Sequence, residues 1–126
     1  MAETILVVDD DKNIAIAVEF LMRHAGYEVA IAHDGQQALD YLAEHDPALM
    51  ILDVMMPNKN GFEVCEEVRA DARLAAMPIL MLTAKGREAE KNKGLALGAN
   101  AYMSKPFSTH DLVDLVKSLL RPGGRK

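Results

Sequence analysis

The chain has 126 residues, half of them hydrophobic, with 14 Lys and Arg against 19 Asp and Glu and a formal net charge of −5. This is the make-up of one soluble domain, large enough to build a core without disulfides or structural metal, and the single cysteine, Cys65, excludes an internal disulfide or a paired-cysteine zinc site. No run approaches the ~18 apolar residues of a membrane span, the N-terminus lacks the layout of a secretion signal, and a body made still more acidic by the placement of Arg121, Arg125 and Lys126 in the tail has no electrostatic reason to bind nucleic acid.

In chain order, residues 5–8 form a short apolar run that ends in Asp9-Asp10-Asp11. Residues 13–25 have helical periodicity, with Ile14, Ala17, Val18, Leu21 and Met22 on one face and Gly26 at the end. Residues 27–32 partly alternate, which suits an edge strand. A second helix opens at Asp34, with Gln37 at capping-box spacing and Leu39 and Leu42 facing inward. Residues 49–52 form a third apolar run and stop at Asp53. The spacing of Phe62, Cys65, Val68 and Ala72 predicts a helix over 61–75, with Cys65 in the core.

Residues 79–82 are the fourth apolar run and lead into Thr83. The helix that follows, over 87–97, is the poorest of the set. Its apolar residues crowd one end, and Gly94 inside it costs ~1 kcal/mol relative to alanine. Residues 101–103 form the last strand and run through Ser104 into Lys105. Ser108 opens the final helix, with Asp111 three residues on and Leu112, Leu115, Val116, Leu119 and Leu120 repeating along it. One domain over 3–120 is expected, with 121–126 as a basic Pro/Gly tail or linker stump.

Strands alternating with helix-length segments imply right-handed crossovers and a parallel sheet covered on both faces, an α/β fold of (βα)5 type. In such open sheets ligands sit outside the carboxyl ends of the strands. Four strands deliver carboxylates, a hydroxyl and an amine to that edge: Asp9, Asp10, Asp53, Thr83 and Lys105. Taken singly, Asp11 is a helix cap, Thr83 a turn residue and Lys105 a surface amine. Their joint occurrence at four strand ends is what singles out the set.

Gathered carboxylates persist only where protons or a cation compensate them, and several hard oxygens around one position suit Mg²⁺. Asp53, on a central strand, would be the nucleophile toward a phosphoryl group, with Lys105 taking up phosphoryl charge and Thr83 donating a hydrogen bond.

The segments ILVVDDD at 5–11, LMILDVMMPNKNGFE at 49–63, ILMLTAKG at 79–86 and GANAYMSKPF at 98–107 resemble the response-regulator receiver domain, the family of the bacterial chemotaxis response regulator. The resemblance implies a doubly wound, flavodoxin-like sheet of strand order 2-1-3-4-5. It also implies that Asp9 and Asp10 organise Mg²⁺, with Mn²⁺ as a substitute, and that Asp53 accepts the phosphoryl group. Met55 would ligate the metal through its backbone carbonyl. Thr83 and Tyr102 match the switch pair, Lys105 the family's amine, and the Lys105–Pro106 bond the position of a cis peptide. Met55 and Lys85 would flank the path of the water that ends the phosphorylated state.

The partners the resemblance implies are a sensor histidine kinase or histidine phosphotransfer protein upstream and a protein target downstream. A monomer, or a weak phosphorylation-dependent dimer, is expected, acting as a signalling phosphoacceptor and not as an enzyme on other substrates. A native single-domain regulator is favoured over a receiver cut from a larger regulator or hybrid kinase. Two rivals share the fold. A haloacid-dehalogenase-like phosphatase needs a second Asp where Met55 stands. A flavin-binding flavodoxin-like protein needs a phosphate loop where Asp9-Asp10-Asp11 would repel phosphate.

Overall fold

The computed structural model describes residues 3–84 and 88–120; Lys85 and the tail 121–126 lie outside them. Strands and helices alternate as β1 (Thr4–Val8), α1 (Lys12–His24), β2 (Glu28–Ala32), α2 (Gly35–Leu42), β3 (Leu49–Asp53), α3 (Gly61–Ala70), β4 (Ile79–Ala84), α4 (Glu88–Ala96), β5 (Ala101–Lys105) and α5 (Thr109–Leu120). The strands pair in parallel in the order β2-β1-β3-β4-β5. This is the flavodoxin-like order that the resemblance implied, with β2 at an edge as its alternation suggested.

The central strands are apolar on both faces because both faces are covered. Leu6, Val8, Met50 and Leu52 point into one core, shared with Ala38 and Leu42 of α2 and Val64, Cys65 and Val68 of α3. Ile5, Val7, Leu49 and Ile51 point into the other, against Ala15, Val18 and Met22 of α1 and Leu112, Val116 and Leu119 of α5. Each fully buried Leu or Ile contributes roughly 1.5–3 kcal/mol, so the sheet is a firm platform for whatever its ends carry. No helix among the described residues is long and apolar enough to cross a membrane.

Side chains close the helix ends. Asp11 caps α1 by accepting from the amides of Asn13 at 2.9 Å and Ile14 at 3.3 Å. Asp34 caps α2 through the Gln37 amide at 2.8 Å, but Gln37 reaches past it to the His33 amide, so the expected reciprocal box does not form. It forms instead on α3, where Asn60 and Glu63 satisfy each other's amides.

Some boundaries differ from the sequence expectation, each for a physical reason. Tyr27 stays out of β2 because its amide donates to Met22 O while the Gly26 amide donates to Arg23 O, a Schellman closure that Gly26 permits at φ 103°. On α1 the buried residues are Ala15, Val18 and Met22, while Ala17 is exposed. Helix α3 stops at Ala70 and not at 75. Asp71 turns extended and its side chain accepts from the Arg73 amide at 2.9 Å, and the Arg73 guanidinium reaches Asp46 and the Leu42 carbonyl. Ala72 is therefore exposed, and Leu74 is the buried anchor of that turn.

Helix α4 spans Glu88–Ala96, without an apolar stripe, as expected. Its glycine has a packing role that periodicity does not show. Gly94 is buried, and a Cβ there would lie 2.5 Å from Met81 Sδ, so the missing side chain lets the helix approach β4.

Candidate functional site

The reactive residues are pinned by backbone pairing. Asp53 is the last residue of β3 and pairs with Leu82. Thr83 pairs with Ser104, and Lys105, the last residue of β5, pairs with Ala84. Asp9 follows β1, but its amide still bonds to Ala32 O at 3.1 Å, which prolongs the sheet by one residue. Asp9, Asp53, Thr83 and Lys105 thus all lie at the carboxyl ends of their strands.

A cleft of about 670 Å³ opens there, walled by Asp9, Asp10, Asp53, Met55 and Lys105 together with Ile14 and Phe107. Asp9 and Asp53 are 1% and 5% exposed, whereas Asp10 is exposed. One carboxylate oxygen from each of the three lies within 4.8 Å of the others. Lys105 Nζ bridges Asp9 Oδ2 at 3.1 Å and Asp53 Oδ1 at 3.0 Å, and the remaining Asp9 oxygen accepts from the Asp11 amide at 2.9 Å. The Lys105–Pro106 peptide is cis, as the resemblance implied.

The electrostatics follow from this crowding. Burial pushes the Asp53 carboxyl up from 3.8 to about 6; the charges of Asp9 and Asp10 push the same way, and the Lys105 hydrogen bond opposes them. Burial acts to lower the Lys105 ammonium, but its hydrogen bonds and charge contacts with Asp53 and Asp9 prevail, and it stays charged more firmly than an ordinary lysine. Three carboxyls face one ammonium. This set fits a divalent cation, since hard oxygens converge and negative charge is left over.

Of the residues singled out in the sequence, Asp9, Asp10, Asp53, Met55 and Lys105 meet in the cleft. The Met55 side chain is 60% exposed at its mouth. Thr83 and Tyr102 are not among the walls. Thr83, 1% exposed, donates its hydroxyl hydrogen bond to Glu90 on α4. Tyr102, on β5, has Lys91 Nζ 5.7 Å from its ring centroid. Lys85 lies outside the described residues.

Three features were missed in the sequence. Ile14 faces the cleft and not only the core, and Phe107 also lines it. Glu90 partners Thr83, yet no spacing rule marks a glutamate seven residues downstream in a polar segment. Asn58 sits at φ 67° and donates to Asp34 Oδ2 at 2.8 Å, which ties the loop carrying Met55 to the start of α2. An Asn in a Pro-Asn-Lys-Asn-Gly stretch was the available signal for that turn.

A family model described as the response regulator receiver domain matches residues 5–117. A crystal structure described as a response regulator from Chloroflexus aurantiacus J-10-fl is 41% identical, with a TM-score of 0.92 over 95% of this chain and 98% of that one. The chemotaxis response regulator CheY4 of Vibrio cholerae is 35% identical, with a TM-score of 0.89 over 95% of this chain and all of that one. The receiver domain of a signal transduction histidine kinase from Syntrophus aciditrophicus is 28% identical, with a TM-score of 0.88 over 94% of this chain and 90% of that one. The chain belongs to the response-regulator receiver family of two-component systems.

Proposed function

We propose that this protein is a phosphorylation-activated signalling switch that takes a phosphoryl group onto Asp53 from a phosphohistidine of a sensor histidine kinase or histidine phosphotransfer protein. The observation that carries the reading is the convergence of Asp53 with Asp9 and Lys105 in one cleft, a buried carboxylate with an ammonium 3.0 Å away. An ionised Asp53 oxygen attacks phosphorus, the P–N bond to the donor imidazole breaks, and its electron pair returns to the ring nitrogen. With its carboxyl held at about 6, Asp53 is mostly ionised at neutral pH and available for attack.

Asp9, Asp10, Asp53 and the Met55 backbone carbonyl would hold Mg²⁺, with Mn²⁺ as a substitute, and the cation would neutralise the oxygens of the transferring group. Lys105 gives up part of its contact with Asp53 and takes on a phosphoryl oxygen. The Thr83 hydroxyl donates to another phosphoryl oxygen, Tyr102 turns inward, and the surface formed by α4, β5 and α5 changes its affinity for a downstream protein. Met55, exposed at the cleft mouth, offers no hydrogen bond to an attacking water.

The test is incubation with acetyl phosphate and Mg²⁺. One acid-stable, hydroxylamine-labile phosphate per chain is expected in the wild type and none in Asp53→Asn. No incorporation into the wild type, or equal incorporation into the variant, would overturn the reading.

A further inference from the structure

We infer that Glu90 is a positioning residue for the switch: its carboxylate and the phosphoryl group compete for the single proton of the Thr83 hydroxyl, so that Glu90 sets how strongly the resting state resists phosphorylation. The inference rests on the reading of Asp53 and Thr83 given above and adds to it a residue that the strand-end pattern does not contain.

A threonine hydroxyl has one proton to donate. In the structure that proton goes to Glu90 Oε1 on α4. In the phosphorylated state Thr83 would donate to a phosphoryl oxygen at the cleft, and the two bonds exclude each other. A contact made in one state and lost in the other biases the equilibrium between them. The bond to Glu90 involves an ionisable carboxyl, and such hydrogen bonds are stronger than neutral ones. Thr83 is 1% exposed, so a hydroxyl that left Glu90 with no phosphoryl oxygen to receive it would be a buried donor without water. Glu90 thus penalises switching in the absence of the phosphoryl group and yields when one arrives.

The surroundings make this contact count. Helix α4 has no apolar stripe facing the sheet, and Gly94 meets Met81 without a side chain of its own. Two consecutive α4 residues instead touch the two predicted switch positions: Glu90 bonds Thr83 on β4, and Lys91 sits over the ring of Tyr102 on β5. Release of Thr83 therefore removes one of the polar ties that hold α4 against the strands.

The experiment measures binding of beryllium fluoride with Mg²⁺, a phosphoryl mimic, to the wild type, Glu90→Ala, Glu90→Gln, Thr83→Val and the Thr83→Val/Glu90→Ala double variant. Affinity is read in every variant from the ¹⁹F signal of the bound mimic, and in the variants that keep Thr83 the state of the switch is read from its ¹³C-methyl signal, assignable because the chain has only two other threonines, Thr4 and Thr109. Glu90→Ala is expected to bind the mimic about tenfold more tightly, although it lowers the stability of the free protein. Glu90→Gln, which keeps a neutral acceptor, falls between the two. In the mimic-free proteins the Thr83 methyl signal moves toward its mimic-saturated position in the same order. In the Thr83→Val background the Glu90 substitution changes affinity by less than twofold. A purely structural glutamate would weaken stability and mimic binding together.

Unchanged or weaker binding by Glu90→Ala overturns the inference and leaves the phosphoacceptor reading standing, and so does an equal gain in the Thr83→Val background. Failure of the wild type to bind the mimic overturns both.

Discussion

Replacing Asp53 by Asn in the metal-free protein should stabilise it, and by an amount that depends on pH. The Asp53 carboxyl is held at about 6 in the fold against 3.8 ordinarily. Between those two values the folded chain binds more protons than the unfolded one. Stability attached to this group is therefore fully present below about pH 4, is lost as pH rises through 6, and stays lost above. At 1.36 kcal/mol per pH unit the loss is about 3 kcal/mol. Asparagine keeps an acceptor for Lys105 Nζ but carries no charge to desolvate or to meet Asp9 and Asp10. In EDTA at pH 8 the variant should exceed the wild type by up to about 3 kcal/mol, or roughly 10 °C in Tm, and match it at pH 4. Millimolar Mg²⁺ should narrow or reverse the gap, because a cation that binds the folded carboxylate stabilises the wild type alone. Urea and thermal unfolding followed by circular dichroism at pH 4, 6 and 8 test this. A gap that is the same at pH 4 and pH 8, or a variant less stable than wild type at pH 8 without metal, would refute the argument.

Three further outcomes are expected. Lys105→Met leaves Asp9 and Asp53 facing each other without their ammonium, so the Asp53 carboxyl should rise further in a ¹³C titration and phosphorylation by acetyl phosphate should slow by about 100-fold; a lowered Asp53 value would contradict the geometry. Met55→Asn places an amide at the cleft mouth where an attacking water would pass, and the phosphorylated form should decay several-fold faster; decay at the same or a slower rate would remove Met55 from that role. Gly94→Ala would gain ~1 kcal/mol by helix propensity alone, but its Cβ would meet Met81 Sδ at 2.5 Å inside a packed core, so urea unfolding should show a net loss of about 1 kcal/mol, and a gain of that size would show that the close approach does not matter.

The strand-end chemistry was readable because it follows from one-dimensional pattern. Four apolar runs that stop at Asp9, Asp53, Thr83 and Lys105 can be recognised without knowing how the strands pair, and a parallel sheet brings those stops to one edge. What escaped is set by contacts between segments. Which alanine of α1 is buried, Ala15 or Ala17, depends on how the helix docks, since both lie close to the apolar face. The end of α3 depends on an Asp71 turn and on Arg73 reaching back to Leu42 and Asp46, 31 and 27 residues away. Glu90 lies in a segment with no amphipathic period, so nothing local distinguishes it from its exposed neighbours. Gly94 read as a weakness in a helix because its neighbour across the gap, Met81, belongs to another element.

The placement of Asp53, Thr83 and Lys105 inside the ladder, and not beyond it, makes the sheet a ruler. Neighbouring strands stand ≈ 4.8 Å apart, so Asp53 on β3 and Lys105 on β5 are separated by two strand spacings. The side chains match that lattice: a short carboxylate on the central strand, a short hydroxyl one strand over, and the long aliphatic stem of lysine two strands away, bringing Nζ to 3.0 Å. Insertions in the connecting loops leave these intervals untouched. A one-residue slip of β5 against β4 would instead turn Lys105 to the opposite face and abolish the cleft's positive charge with every loop intact. Register, and not loop sequence, is the quantity on which the chemistry of this edge depends.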